Sequence, residues 1–179
     1  MNRPEFRNQY NIIDEIIRVN HAGEYGAIHI YLGQMQKTKN NKIKSIIQDM
    51  YDGEKIHLQY FEEQIIKRSV RPTIMMPIWR ILGRSLGKIS SILGVKIAML
   101  LTDSIESVID EHYKKQLEYL SKIKCEKDLA DHIAKFREEE LHHKDVAIEN
   151  GSIDSPFYNS LNSIIKYGCN FAIELSKKI

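Results

Sequence analysis

The sequence predicts an all-α protein: a four-helix bundle with a long amphipathic crossover between helices 2 and 3 and an extra C-terminal helix. Three observations predict it. Apolar residues recur at helical spacing along almost the whole chain. Each of four main stripes carries ionisable groups at positions that the pattern reserves for the core. Only four prolines and nine glycines occur among 179 residues, which leaves long stretches free to be helical.

The first stripe, over residues 9–37, runs Ile13, Ile17, Asn20, Glu24, Ala27, Tyr31 and Gln34. The second, over 42–67, runs Ile43, Ile47, Met50, Glu54, His57, Phe61 and Ile65. A turn at Thr38-Lys39-Asn40-Asn41 joins them and sets Glu24 beside Glu54 in an antiparallel hairpin. The third stripe contains Val95, Met99, Thr102, Glu106, Ile109, Tyr113, Leu117 and Leu120. The fourth contains Leu129, Ile133, Phe136, Glu140, His143 and Ala147, and Asn150-Gly151 marks its stop. The turn over 121–127 aligns Glu106 with Glu140 as the first turn aligns Glu24 with Glu54. A last helix is expected over 156–177.

The chain therefore repeats one pattern: a lone glutamate, then about thirty residues later a Glu-x-x-His. Residues three apart on a helix share a face, so each Glu-x-x-His offers an oxygen and a nitrogen to one point. Two lone glutamates and two such pairs form the ligand set of a carboxylate-bridged di-iron or di-manganese centre in a bundle. Burying several unpaired carboxylates at one level is prohibitive without cations. Glu24, Glu54, His57, Glu106, Glu140 and His143 are the candidate metal ligands. Glu139 and His142 make an overlapping Glu-x-x-His, but their stripe (Asp128, His132, Lys135) is polar and is assigned to solvent.

Between Glu63 and Asp103 the chain has no acidic residue, yet it carries Lys67, Arg68, Arg71, Arg80, Arg84, Lys88 and Lys96. A bundle of the ferritin-like kind needs its crossover here, over about 68–96. The prolines around 71–79 suggest a loop or a broken short helix at its start. Basic side chains beside Trp79 and bulky aliphatics suit a helix lying on an anionic membrane surface. Covering the bundle end or a subunit contact is the competing account. No run reaches the ~20 apolar residues that span a bilayer, and the polar start lacks the apolar core of a signal peptide. A net charge of +2 and the absence of an aromatic–basic motif argue against nucleic acid. Cys125 and Cys169 form no close pair and are read as structural or incidental thiols.

Several motifs resemble the demethoxyubiquinone hydroxylases of coenzyme Q biosynthesis. They are Arg18-Val-Asn-His-Ala-Gly-Glu-Tyr-Gly-Ala27, Asp52-Gly-Glu-Lys-Ile-His57, Arg71-Pro-Thr73, Pro77-Ile-Trp79, Glu106-Ser-Val-Ile-Asp-Glu-His-Tyr113, Phe136-Arg-Glu-Glu-Glu-Leu-His-His143 and the tail 168–176. They span nearly the whole chain in order. Asn20 stands where many relatives place Asp, and Lys144 where they often have a second His. The resemblance implies one ferritin-like domain over 1–179 holding two iron ions at the six residues named. It implies a monooxygenase that hydroxylates the ring of 2-polyprenyl-3-methyl-6-methoxy-1,4-benzoquinol with O2, and NADH as electron donor. His112 and Tyr113 become candidates for positioning the ring or the nicotinamide, although core packing explains them equally. The resemblance also implies homo-oligomers, a lipid-binding partner protein in eukaryotes, and a peripheral location. That location is the cytoplasmic side of a bacterial cell membrane, or the matrix side of the inner mitochondrial membrane. Ferritin-like iron storage or peroxide scavenging is the alternative that the metal pattern alone would allow.

Overall fold

A computed structural model describes residues 4–124 and 126–178, with side chains from residue 11 onward. Cys125 lies outside the described residues. Among the described residues six helices follow one another: α1 (Pro4–Lys37), α2 (Asn41–Arg68), α3 (Met76–Leu93), α4 (Val95–Ile123), α5 (Lys127–Glu149) and α6 (Tyr158–Lys178). No strand occurs among the described residues. The α1/α2 and α4/α5 hairpins form the four-helix bundle, α3 crosses between them, and α6 packs on α4 and α1.

Local chemistry sets the boundaries. Asn40 accepts the amide of Ile43 at 3.2 Å and caps α2, whose first N–H groups otherwise lack partners. Ser69 and Lys124 end α2 and α4 in the left-handed conformation, their N–H groups bonding back to the last turn. Asn150 caps α5, and Gly151 takes φ 92° just beyond it.

The core lies in two apolar layers. One gathers Ile13, Ile17, Phe61, Leu120, Leu129 and Ile133; the other gathers Ala27, Ile43, Ile47, Met50, Met99 and Ala147. The glutamates and histidines of the four stripes lie between these layers along their helices, with apolar packing toward both bundle ends.

The crossover starts with a loop over 69–75, as its prolines suggest, and continues as a helix of 18 residues, with Pro77 in its first turn, where a missing N–H removes no helical bond. Its glycines are contact points. A Cβ on Gly87 would stand 2.0 Å from the Ile30 carbonyl oxygen, and one on Gly33 would stand 2.3 Å from that of Arg84. The backbones of α1 and α3 thus approach too closely for any side chain.

This close seating turns the other face of α3 outward. Ile78, Ile81, Leu82, Leu86, Ile89 and Leu93 are exposed, and Ile164, Tyr167 and Phe171 of α6 add to the apolar surface. Trp79 ties the two helices, its Nε1 donating to Ser176 Oγ at 3.0 Å. Among the described residues no helix is long and apolar enough to cross a membrane.

Candidate metal centre

All six candidate ligands are buried, and they converge in two overlapping groups. Glu24, Glu54, His57 and Glu140 form one; Glu54, Glu106, Glu140 and His143 form the other, and within each the ligand atoms lie within 4.8 Å of one another. Glu54 and Glu140 belong to both. His57 Nδ1 is 3.0 Å from Glu140 Oε1 and 3.6 Å from oxygens of Glu24 and Glu54. His143 Nδ1 is 3.1 Å from Glu140 Oε2 and 3.4 Å from Glu54 Oε1. Two carboxylates thus reach both histidines, the placement that bridging ligands require.

The electrostatics demand positive charge. Burial, with the neighbouring carboxylates, holds Glu24 and Glu106 well above the ordinary carboxylate range. Burial pushes Glu54 the same way, but the nearby His143 and His57, at 3.4 and 3.6 Å, outweigh it and hold this carboxylate below its ordinary range. Burial pulls His143 down, yet its contacts with Glu140 and Glu54 raise it to about 10. The same opposition, decided by Glu140, Glu24 and Glu54, raises His57 still further. Glu24 Oε2, both oxygens of Glu54 and Glu106 Oε2 are buried without a hydrogen bond. Four carboxylates share too few donors, and orphaned buried oxygens of this kind fit divalent cations with a preference for hard or borderline ligands.

Two tyrosines complete the cluster. Tyr113 donates its hydroxyl to Glu24 Oε1, and Tyr31 donates to Glu106 Oε1 at 2.8 Å. Of these, the family resemblance singles out only Tyr113. Tyr31 was visible only as a stripe member, although each tyrosine follows a lone glutamate by seven residues, two turns along the same face.

Glu139 departs from the solvated placement that its polar stripe implies. It is half-buried, and its Oε2 lies 2.5 Å from His57 Nε2, so it is not simply solvated. His142 is exposed, as its polar stripe implies.

A cavity of about 490 Å³ opens on one side of the cluster, between α1, α3, α4 and α6. It begins at the exposed Leu82, Leu86 and Phe171 and ends at Glu24 and Tyr113. Its walls are almost wholly apolar. Gly23 and Gly26 line it, and a Cβ on either would meet nothing within 4 Å. His112 also lines it, with Nε2 buried and unpartnered. Burial, aided by Lys177 and Lys115, pushes the pKa of His112 down to about 4, so the imidazole is neutral at physiological pH. Burial likewise raises the Cys169 thiol in this wall to about 11 and keeps it protonated.

A helical bundle of ferritin-like form with a buried Glu/His cluster and an apolar channel to it defines a carboxylate–histidine class of protein. Within that class, the family model for ubiquinone biosynthesis protein COQ7 matches residues 11–176. The mitochondrial NADPH-dependent 3-demethoxyubiquinone 3-hydroxylase of Homo sapiens is 43% identical over 169 residues, covering 93% of this chain and 78% of the human one. The 3-demethoxyubiquinol 3-hydroxylase of Rhodospirillum rubrum is 37% identical over 169 residues, with 94% and 79% covered. The mitochondrial 5-demethoxyubiquinone hydroxylase of Saccharomyces cerevisiae is 31% identical over 186 residues, with 96% and 80% covered. The chain belongs to the COQ7 family of ubiquinone biosynthesis proteins.

Proposed function

We propose that this chain is a hydroxylase of the demethoxyubiquinol ring, using O2, with residues 1–179 acting as one di-iron domain. Glu24, Glu54, His57, Glu106, Glu140 and His143 would hold the two iron ions, and bound iron would supply the O2 chemistry that the side chains lack. The observation that carries this reading is the apolar cavity running from an exposed apolar surface to Glu24. A polyprenyl quinol has a flat ring that must reach the metals and a tail that must remain among apolar groups.

The chain's own residues divide the remaining work. Leu82, Leu86 and Phe171 flank the mouth and accept the tail. Tyr113 holds Glu24 in place at the inner end. The neutral His112 offers Nε2 to a ring hydroxyl, and the apolar walls limit water. The α3 and α6 surface lies on the membrane that contains the quinol, with Arg80, Arg84 and Lys88 meeting anionic headgroups. That membrane is the bacterial cell membrane on its cytoplasmic side, or the inner mitochondrial membrane on its matrix side. NADH is the proposed electron donor; the names of several relatives carry NADPH, which makes that dinucleotide the competitor to test.

Iron-loaded protein in liposomes containing demethoxyubiquinol, supplied with NADH or NADPH, tests the proposal. Chromatography of the extracted quinones should give a ring-hydroxylated product. Oxygen consumption without a new hydroxyl would point to an oxidase instead.

A further inference from the structure

The internal repeat is broken at one position next to each Glu-x-x-His. The two copies read Gly53-Glu54-Lys55-Ile56-His57 and Glu139-Glu140-Leu141-His142-His143, so Gly53 occupies the place equivalent to Glu139. Glu139 reaches across from α5 to α2, its Oε2 lying 2.5 Å from His57 Nε2, while Oε1 is 3.6 Å from the exposed Lys135 Nζ. His57 meanwhile turns Nδ1 to the cluster. A carboxylate that accepts the proton of one imidazole nitrogen fixes the tautomer, aims the other nitrogen, and makes it a better ligand.

His143 also turns Nδ1 to the cluster, but its Nε2 faces Gly53, where a Cβ would stand 3.4 Å away. Among the described residues no hydrogen bond reaches that nitrogen. Instead, His143 borders an open depression of about 440 Å³ lined by Gly53, Ile56, Lys135, Glu138 and Glu139. The missing side chain thus removes the carboxylate and leaves the imidazole beside solvent.

We propose that Glu139 is a positioning residue that makes the two halves of the centre unequal: the His57 half binds its metal ion first and more tightly, and the His143 half, opposite Gly53, binds second. The proposal rests on the metal-centre reading above. It concerns the order and strength of loading, which that reading leaves open.

Titration of the metal-free full chain with Co(II), followed by ligand-field absorption and equilibrium dialysis, tests it. The unaltered protein should take up two ions in two distinguishable steps. Glu139→Ala should weaken the tighter step by about 10–100-fold and leave the weaker one unchanged. Glu139→Gln, whose amide oxygen still accepts from Nε2–H, should recover part of the loss. His57→Ala should abolish the tighter step and His143→Ala the weaker. If Glu139→Ala fails to fold, the glutamine variant decides: a weakened tighter step supports the proposal and an unchanged one overturns it. A tighter step insensitive to Glu139, or equal weakening of both steps, overturns the positioning role while the metal centre stands. Binding of no Co(II) by the unaltered protein takes the metal-centre reading down as well.

Discussion

Tyr31 donates its hydroxyl to Glu106, which stands on the other hairpin of the bundle, at 2.8 Å. Tyr113 returns the contact to Glu24. Each tyrosine lies two helical turns beyond one lone glutamate and bonds the other, so α1 and α4 are cross-braced through their own ligand residues. Burial and the nearby carboxylates raise both phenols well above their ordinary value, which keeps them protonated and donating.

Tyr31→Phe leaves a second buried oxygen of Glu106 without a donor. Stability of the metal-free protein should fall by about 1–3 kcal/mol. Urea unfolding measures it, and an unchanged midpoint would mean that the brace carries no energy.

Two glycines on α1 and α3 should respond oppositely to the same change. Gly87→Ala forces a methyl into the Ile30 carbonyl and should cost about 1–3 kcal/mol or more as the helices separate. Gly23→Ala meets open cavity and removes a flexible residue from a helix, so it should fold at least as stably, by roughly 0.5–1 kcal/mol. Its methyl narrows the channel beside Glu24, so quinol turnover should nevertheless fall. Thermal melts paired with a turnover assay separate the two effects.

His112 supplies a pH dependence whose sign is fixed. Its pKa is about 4 in the fold against 6.5 when unconstrained, so between these values the unfolded chain binds a proton that the folded chain refuses. This contribution to stability is present above pH 6.5 and is lost as the pH falls toward about 4. Unfolding midpoints across that window should flatten in His112→Leu. An unaltered acid slope would place the titrating group elsewhere.

The charge on the crossover should matter to lipid. Arg80, Arg84 and Lys88 lie beside the exposed Ile81, Leu82 and Ile89. Replacing all three with Glu should strongly weaken sedimentation with anionic liposomes, and added salt should weaken binding of the unaltered protein. Unchanged sedimentation would remove the headgroup contact from the account.

Much of this architecture was legible because buried ionisable residues are costly. Glu24, Glu54, Glu106 and Glu140 in otherwise apolar stripes announced both the helices and their common level. What escaped was tertiary. Periodicity along α5 sends Glu139 to the polar side with Lys135 and His132, yet its side chain crosses to His57 on α2. The purpose of Gly83 and Gly87 lies in the backbone of α1, which no periodicity along α3 reveals. The channel itself is formed by four helices and belongs to no single stripe.

The most direct test of the central claim is a single turnover of iron-loaded protein with demethoxyubiquinol, reductant and isotopically labelled O2, read by mass spectrometry of the extracted quinone. One labelled oxygen should enter the ring, and Glu54→Ala should lose both iron and label, because both oxygens of Glu54 lie buried among the ligands of the two halves. An unlabelled ring from fully loaded protein, or full iron and full label in Glu54→Ala, would contradict the account.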